Sequence, residues 1–195
     1  MGHAQVSEQK YTVEEYFEME EKSEIRHEYY DGEIFAMAGT TMNHNDIVDN
    51  VRSVMKGVFR PKGCRVFAEN VKVEASALYY PYPDVIVTCA PGDISGTYVV
   101  KHPSILVEVL SKTSAIYDRD FKLRKYKEIP SLQYYLLVSQ NEYLVELYTR
   151  TAQEDIWTYQ NFENENDVIR FESFNFEMSL KDIYENITFV PDEVL

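Results

Sequence analysis

The sequence is poor in several features that define whole classes of protein. Its 195 residues include 2 cysteines and 1 tryptophan, and 7 glycines and 7 prolines are too few for a collagen-like or low-complexity chain. No apolar run approaches the roughly 20 residues that span a bilayer; the longest candidates, Ile105–Leu110 and Tyr134–Val138, have the length of strands. Residues 1–10 are polar and lack the apolar segment of a secretion signal. We therefore expect a soluble chain without an export signal or a membrane partner.

The shortage of cysteine excludes one kind of fold. Cys64 and Cys89 cannot form the framework of several bridges that holds small secreted domains together. The apolar residues nearest to them are Val66, Phe67, Val85 and Val87. The sequence therefore predicts reduced thiols in the core and, together with the polar N-terminus, a cytoplasmic location.

Bases are scarce as well. The chain has 19 Lys and Arg against 33 Asp and Glu, a net charge of −14, whereas nucleic-acid binding depends on Lys and Arg. The segment 101–127 is the exception, with Lys101, Lys112, Arg119, Lys122, Arg124, Lys125 and Lys127. Two interpretations are open: a solvated helix face, which is the commoner use of such a run, or a local surface that binds phosphate.

What the sequence does contain is a series of strand and helix patterns. Thr12 and Glu15 form a capping box that predicts a helix start, and Asp31-Gly32 is the pair preferred in a type I′ hairpin turn. After the first helix we predict a hairpin (26–30 and 33–37), a helix (45–59), strands (65–73, 84–89 and 105–110), a helix (115–127), a second hairpin (133–138 and 143–149), edge strands (156–159 and 167–171) and a short docking helix (180–184).

This order predicts an α/β fold in which helices flank a central mixed β-sheet, with an N-terminal hairpin and C-terminal edge strands. A strand followed by a helix and a further strand in the same sheet implies a right-handed crossover. No Pro-, Gly- or Ser-rich linker divides the chain. We expect a flexible N-terminus (1–10), one domain (11–185) and a C-terminal tail (186–195).

Two acids stand within the most apolar strands. Asp84 begins one predicted strand, and Glu108 lies in the middle of another, Ile105–Leu110, that is apolar on both faces. A buried carboxylate must be paired, protonated or bound to a cation. For Asp84, capping at a strand end is a fair alternative; for Glu108 it is weaker. The pair predicts a shared divalent metal on adjacent central strands.

These residues resemble the PD-(D/E)xK nuclease pattern, and the chain is similar to the Uma-type family of restriction endonucleases. The matching pieces are Arg26-His27-Glu28, Asp31-Gly32-Glu33, His44, Tyr82-Pro83-Asp84-Val85, Val107-Glu108-Val109-Leu110-Ser111, the series Asp118, Lys122 and Tyr126, and Tyr134-Tyr135-Leu136-Leu137-Val138. The resemblance implies the restriction-endonuclease-like fold and a DNA endonuclease. It also implies Mg²⁺ or Mn²⁺ held by Asp84, Glu108 and the backbone carbonyl of Val109, with a metal-activated water.

One departure concerns the lysine of that pattern. The nuclease pattern places a lysine two residues after the second acid, where this chain has Leu110. Lys112 has the same strand parity as Glu108, but it lies four residues further along the chain, too far along the strand to take the place of that lysine. Lys122, with Asp118 and Tyr126 one helical turn away on either side, is the position that the family resemblance favours. We therefore predict Lys122 as catalytic, held by its two neighbours; an ordinary Asp118–Lys122 ion pair is the alternative.

Two further residues have open roles. Glu28 is either an additional ligand or water contact, or a surface strand acid. His44, beside Asn43 and Asn45, either contacts substrate phosphate or, more commonly for such a histidine, belongs to a polar capping turn.

Two functions from different classes follow. The first is a metal-dependent DNA endonuclease, expected as a homodimer through the late edge strands because duplex cleavage by one-site subunits calls for two-fold symmetry. The second is a weakly active or inactive nuclease-fold module that binds a partner protein, which Leu110 and the net charge favour. No P-loop or other nucleotide-cofactor motif occurs in the sequence.

Overall fold

The computed structural model describes residues 10–111, 114–153 and 156–189. The helices are α1 (Val13–Lys22), α2 (Met42–Phe59), α3 (Pro91–Ile94), α4 (Ala115–Tyr117), α5 (Leu123–Lys127) and α6 (Leu180–Ile183), with a π-helical turn (Asp118–Lys122) between α4 and α5 and 3₁₀ turns at Arg60–Lys62 and Glu172–Phe174. The strands are β1 (His27–Tyr30), β2 (Glu33–Ala36), β3 (Arg65–Ala68), β4 (Lys72–Val73), β5 (Tyr79–Tyr80), β6 (Val85–Thr88), β7 (Val99–Val100), β8 (Ile105–Leu110), β9 (Tyr134–Ser139), β10 (Val145–Arg150), β11 (Trp157–Phe162), β12 (Val168–Phe171) and β13 (Phe176–Ser179). Within the three described ranges, no helix has both the length and the apolar character that crossing a bilayer requires.

A six-stranded mixed sheet, in the order β11-β10-β9-β8-β6-β3, forms the centre of the domain. β8 and β9 are parallel, and the other neighbouring pairs are antiparallel. The helical segment from α4 to α5 makes the crossover between β8 and β9 that a parallel pair needs. Every residue of β8 and β9 is buried, as expected for strands covered on both faces. The predicted mixed α/β sheet is confirmed.

Strand parity divides the core between the two faces of this sheet. One face packs against α2 and carries Val85, Val87, Ile105, Val107 and Val109. The opposite face packs against the helical segment after β8 and carries Ile86, Leu106, Leu110, Tyr135 and Leu137. Side chains alternate between faces along a strand, so Asp84 and Glu108 belong to the face that the helical segment covers.

The N-terminal helix and hairpin form as predicted. The Thr12 side chain accepts from Glu15 N–H while the Glu15 carboxylate accepts from Thr12 N–H, which completes the capping box. In the turn between β1 and β2, Asp31 has φ 46° and Gly32 has φ 87°, the two positive values that a type I′ turn requires. β1 also pairs with β5, giving a small sheet in the order β2-β1-β5 that positions Glu28.

The prediction misses the short strands β5, β7 and β13, and two predicted strands differ from the structure because the chain turns out of the central sheet. The predicted strand 65–73 is two strands, β3 and β4, separated at Glu69, which has φ 56°. At the C-terminal end β11 is an edge strand of the central sheet, as expected, but β12 pairs with β13 in a separate two-stranded sheet. At neither place does the sequence contain a turn motif as specific as Asp31-Gly32.

The prediction of reduced thiols is wrong. Cys64 and Cys89 form a disulfide with their Cα atoms 4.2 Å apart. They flank the antiparallel pair β3–β6, in which Arg65 lies opposite Thr88. Continuing this register by one residue places the two cysteines face to face, which hydrophobic neighbours in the sequence could not reveal. Disulfides are rare in cytosolic proteins, so the cytoplasmic location loses one support and stays a prediction.

Candidate active site

The two predicted acids face each other across neighbouring central strands. β6 and β8 are antiparallel, and Val85 pairs with Val107. The same register continued by one residue places Asp84 opposite Glu108 with both side chains on one face, because directly opposed residues of a sheet share a face. The structure therefore brings Asp84 and Glu108 together.

Both oxygens of Asp84 have a hydrogen-bond partner. Oδ2 accepts from the backbone N–H of Val109 at 2.6 Å, and Oδ1 lies 3.2 Å from His44 Nε2. One contact comes from β8 and the other from α2. These contacts fix the plane of the Asp84 carboxylate relative to Glu108, which is adjacent to Val109.

His44 reaches Asp84 from the first turn of α2. Thr41 caps this helix, because its hydroxyl accepts from His44 N–H at 3.1 Å. Burial by itself lowers the pKa of His44, but the hydrogen bond and the charge of Asp84 outweigh it and leave the pKa above its usual value. The capping turn expected from the sequence is present, and the imidazole has a second role as the partner of Asp84, which the sequence did not reveal.

Glu108 is a buried acid with both of its described hydrogen bonds on one oxygen. Oε1 accepts from Lys122 Nζ at 3.0 Å and from the Tyr126 hydroxyl at 2.8 Å. Burial raises the pKa of Glu108 well above its usual range; Lys122 opposes this shift, whereas Asp118, among other acids, adds to it. Tyr126 therefore orients the acid, whereas the sequence assigned it to the lysine.

The ammonium group of Lys122 lies among three carboxylates. Its Nζ is 3.0 Å from Glu108 Oε1, 3.3 Å from Asp118 Oδ1 and 3.6 Å from Glu28 Oε1. Burial alone would lower the pKa of Lys122, but the three acids raise it well above its usual value. The lysine is consequently a fixed cation, and its contacts extend well beyond an ordinary Asp118–Lys122 pair.

The helical segment after β8 supplies this lysine because of its internal spacing. Asp118 and Lys122 begin and end the π-helical turn, and Tyr126 follows one turn later in α5. Residues four apart share one helix face, which here lies over the sheet. A π-helical turn inside an α-helix is frequent at functional sites.

Two predictions about the end of β8 stay untested. Lys112, the rejected position for the lysine, lies outside the described residues. Val109 lines the same space as the acids, but the role of its carbonyl as a ligand stays a prediction. Glu28 accepts from Tyr82 N–H at 3.2 Å and turns toward Lys122, so it is a member of the cluster rather than a surface acid.

A cleft of about 910 Å³ opens over these side chains. Its walls come from the hairpin, the start of α2, the strand ends and the helical segment. The residues that line it include Arg26, Glu28, Met37, Thr41, His44, Glu69, Tyr82, Asp84, Glu108, Val109, Ser111, Asp118, Lys122 and Gln140. All predicted site residues but the buried Tyr126 therefore face one space, which is large enough for a nucleotide-sized group.

The charge balance of the cleft fits a divalent cation. The acids that line the cleft, Glu28, Glu69, Asp84, Glu108 and Asp118, outnumber the bases Arg26 and Lys122, even when His44 is protonated, which leaves an excess of negative charge. Within the described ranges Asp118 Oδ1 is buried and makes no hydrogen bond, although Lys122 lies close to it. In the same part of the chain, no group of three or more His, Cys, Asp or Glu side chains is placed so that it could hold a metal ion. Two carboxylates such as Asp84 and Glu108 are within the number that Mg²⁺ takes from a protein, because this ion keeps several of its waters.

Most basic side chains of the segment 101–127 form ion pairs with acidic side chains of the same chain. The ion pairs are Lys101 with Glu74, Arg119 with Glu146, Arg124 with Asp120 and Lys125 with Glu128. Lys127 lies against the rings of Tyr148 and Trp157. This pairing favours the interpretation as a solvated, internally neutralised face over a phosphate-binding surface.

Comparison with known proteins identifies the family. The sequence model of the Uma2 family, described as "Putative restriction endonuclease", matches residues 13–181. The chain belongs to the Uma2 family. The resemblance on which the site prediction rested is thereby confirmed, and the matched range contains every candidate site residue.

Two proteins of Synechocystis sp. (strain ATCC 27184 / PCC 6803 / Kazusa) are similar over most of this Uma2 chain. "Uncharacterized protein slr1290" is 33% identical over 181 residues, which cover 92% of this chain and 94% of that protein. "Uncharacterized protein sll1609" is 31% identical over 163 residues, covering 82% of this chain and 92% of that protein. Their names carry no statement of activity.

A crystal structure of similar fold supports the architecture. A "putative nuclease belonging to DUF820" from Anabaena variabilis ATCC 29413 superimposes with a TM-score of 0.71 at 19% identity, over 89% of this chain and 97% of that one. At this identity the likeness concerns the fold. The predicted restriction-endonuclease-like fold is confirmed.

Proposed function

We propose that this Uma2 protein is a metal-dependent nuclease that hydrolyses phosphodiester bonds in DNA. The observation that carries the proposal is the convergence of Asp84, Glu108 and Lys122 at the base of one cleft, with Lys122 Nζ 3.0 Å from Glu108. Family membership supports a nuclease. The metal dependence and the residue roles rest on the chemistry of the side chains.

Asp84, Glu108 and the Val109 carbonyl would hold Mg²⁺ or Mn²⁺. Both described hydrogen bonds of Glu108 go to Oε1, so Oε2 can bind a cation without displacing Lys122 or Tyr126. Each oxygen of Asp84 has one hydrogen-bond partner and keeps a further lone pair. When bound, the metal supplies an activated water and polarises the scissile phosphate.

Lys122 acts as a cation rather than as a base. Its pKa lies above the usual value because three carboxylates surround it, so it keeps its proton at neutral pH. A protonated lysine donates to the attacking water or to a phosphate oxygen and offsets charge that develops on the phosphoryl group. Asp118 and Glu28 hold the ammonium between the sheet and the hairpin.

The test is cleavage of supercoiled plasmid DNA by the purified protein. We expect nicked and linear products with Mg²⁺ or Mn²⁺ and intact plasmid with EDTA, and no products from Asp84→Asn protein under any condition. A wild type without activity on plasmid, single-stranded DNA and RNA in the presence of either metal contradicts the proposal.

A second function is favoured by one observation, the internal pairing of the bases in the segment 101–127. Bases that are paired with acids of the same chain contribute less to the electrostatic attraction on which binding of duplex DNA depends. A nuclease-fold module that binds a partner protein fits this surface. Nucleic-acid binding by fluorescence anisotropy at 50 mM salt separates the two: micromolar binding supports the nuclease.

We further propose a homodimer through the edge strand β11. Its sequence, Trp-Thr-Tyr-Gln-Asn-Phe, contains no charge and no proline, the devices that normally protect an exposed edge. At the other edge, the Arg65 guanidinium donates to the carbonyls of Ile94 and Gly96, which holds the chain after α3 against β3. Light scattering at micromolar concentration tests the proposal: we expect twice the chain mass of 22.9 kDa, and the monomer mass contradicts it.

A further inference from the structure

Gln140 connects three elements that carry the candidate site. It follows β9, is 6% exposed, and lines the cleft. Its amide Nε2 donates to the carbonyl of Leu110 at the end of β8, at 2.9 Å, and its Oε1 accepts from the Thr41 hydroxyl. Leu110 lies two residues after Glu108, and Thr41 begins the helix that carries His44.

The contacts continue from Thr41 to the reacting groups. The same Thr41 hydroxyl that donates to Gln140 accepts from His44 N–H at 3.1 Å, and His44 Nε2 lies 3.2 Å from Asp84 Oδ1. The hydroxyl thus both donates and accepts, and the amide of Gln140 uses one donor and its acceptor. The chain of bonds fixes the start of α2 relative to the ends of β8 and β9, and so the imidazole relative to Asp84.

We infer that Gln140 is a positioning residue: through Thr41 it holds His44 against Asp84 and keeps that carboxylate turned toward Glu108. The inference rests on the proposed function, because it assigns Gln140 to the same site. Gln140 does not touch the acids itself, and its effect passes through the helix start. Only a residue with both a donor and an acceptor can join the Leu110 carbonyl to the Thr41 hydroxyl.

The placement of His44 can be measured without any nuclease activity. Its side chain is 11% exposed and that of His102 is 60% exposed, so the two should react with diethylpyrocarbonate at different rates. The rate at each histidine is followed by peptide mass spectrometry at one fixed pH. His102 is the internal reference, and His27, 15% exposed, reports loss of the overall fold.

The decisive variants are Gln140→Leu and Thr41→Val, which remove the amide and the hydroxyl with little change of volume. We expect modification of His44 to accelerate at least several-fold in both, with His27 and His102 unchanged. Thr41→Ser keeps the hydroxyl and should restore the wild-type rate. Gln133→Leu, the same substitution at the other end of β9, is the matched control and should leave His44 protected.

Displacement of His44 should also weaken metal binding at Asp84. We expect Gln140→Leu and Thr41→Val to weaken Mn²⁺ binding, as measured by calorimetry. On plasmid DNA each variant should lower kcat by a larger factor than it changes KM. The double variant should be no worse than either single variant, because both substitutions break the same chain of contacts. Thr41→Ser should behave as wild type.

The outcomes separate this inference from the proposed function. An unchanged His44 rate in both variants, or an equal rise at His27, overturns the positioning role even if the wild type cleaves DNA. A faster His44 rate with unchanged Mn²⁺ affinity overturns the link from the helix start to Asp84. A wild type that neither binds Mn²⁺ nor cleaves DNA refutes the proposed function and, with it, the part of the inference that concerns catalysis.

Discussion

Two carboxylates lie at opposite ends of the strand pair β6–β8, and both are 4% exposed: Asp93 and Glu108. Asp93 accepts from the Thr88 hydroxyl at 2.9 Å and from the backbone N–H groups of Lys101 and His102 at 2.9 and 2.8 Å. These donors are neutral and tie the end of β6 to the approach of β8. Asp93 is a structural acid.

Glu108 is equally buried but has a different environment. Its partners are a charged lysine and a tyrosine on one oxygen, and Asp84, Asp118 and Glu28 add negative charge around it. It also faces a cleft. Burial of an acid therefore does not mark a functional site by itself. The distinguishing features of Glu108 are like charges held close together, described hydrogen bonds on one oxygen alone, and access from solvent.

The largest expected effect concerns the buried ammonium group of Lys122, 3.0 Å from Glu108, whereas the ionisable partner of Asp93 is the exposed His102 at 3.7 Å. Lys122→Met should lower plasmid cleavage by about 100- to 1,000-fold, the usual cost of one donor to a transition state, while Mn²⁺ affinity by calorimetry is kept. Lys112→Met is the control and should lose little activity. The opposite ranking of the two variants would assign the lysine role to the strand end.

Measurements of metal binding should distinguish Glu108 from Asp93 directly. Asp84→Ala and Glu108→Ala are each expected to abolish the heat of Mn²⁺ binding without unfolding the protein, since each removes a hard oxygen ligand. Asp93→Ala should retain Mn²⁺ binding. If wild-type heat persists in both Asp84→Ala and Glu108→Ala, the metal site lies elsewhere; circular dichroism checks that all three variants are folded.

Asp93→Ala, which should retain Mn²⁺ binding, should instead lower the stability of the fold. Asp93→Ala removes the acceptor of the Lys101 and His102 N–H groups and leaves the Thr88 hydroxyl with the His102 carbonyl alone, so the free energy of unfolding in urea should fall by about 2–4 kcal/mol. Thr88→Val removes one of these donors and should cost about 1 kcal/mol. A loss at Asp93 no greater than that at Thr88 would show that solvent replaces the acceptor and that Asp93 is not structural.

The smallest expected effect is a change of folding stability with pH that is caused by Glu108. Burial raises its folded-state pKa above the ordinary value of 4.5, so the folded protein binds this proton more tightly than the unfolded chain. Stability should therefore decline as pH rises from 4.5 through the folded pKa. Lys122, whose pKa is raised, stays charged in this range and adds no slope.

The measurement compares urea unfolding of wild type and Glu108→Gln in EDTA between pH 4.5 and 7. The wild type should lose stability relative to the variant as the pH rises, which is the direction that a raised pKa of Glu108 implies. Glu33→Gln, an exposed acid on β2, should run parallel to the wild type. Parallel curves for Glu108→Gln would mean that Lys122 compensates the burial of Glu108 fully.

Local patterns were enough for much of the fold. The capping box at Thr12, the Asp31-Gly32 turn and the apolar stripe of α2 are read from neighbours within a few residues, and each occurs as predicted. The mixed sheet follows from the order of elements. Even the meeting of Asp84 and Glu108 followed from parity on two strands apolar on both faces, because an acid in such a strand needs a partner.

Only the tertiary structure decided which partners those residues have. The disulfide depends on the register of β3 against β6, and the contact of His44 with Asp84 joins residues 40 positions apart. Gln140 bonds Thr41 over 99 positions. Periodicity states which face a side chain occupies, but register and helix placement are set by the packing of the whole core, so the sequence by itself determined the acids of the site and the fold determined what holds them.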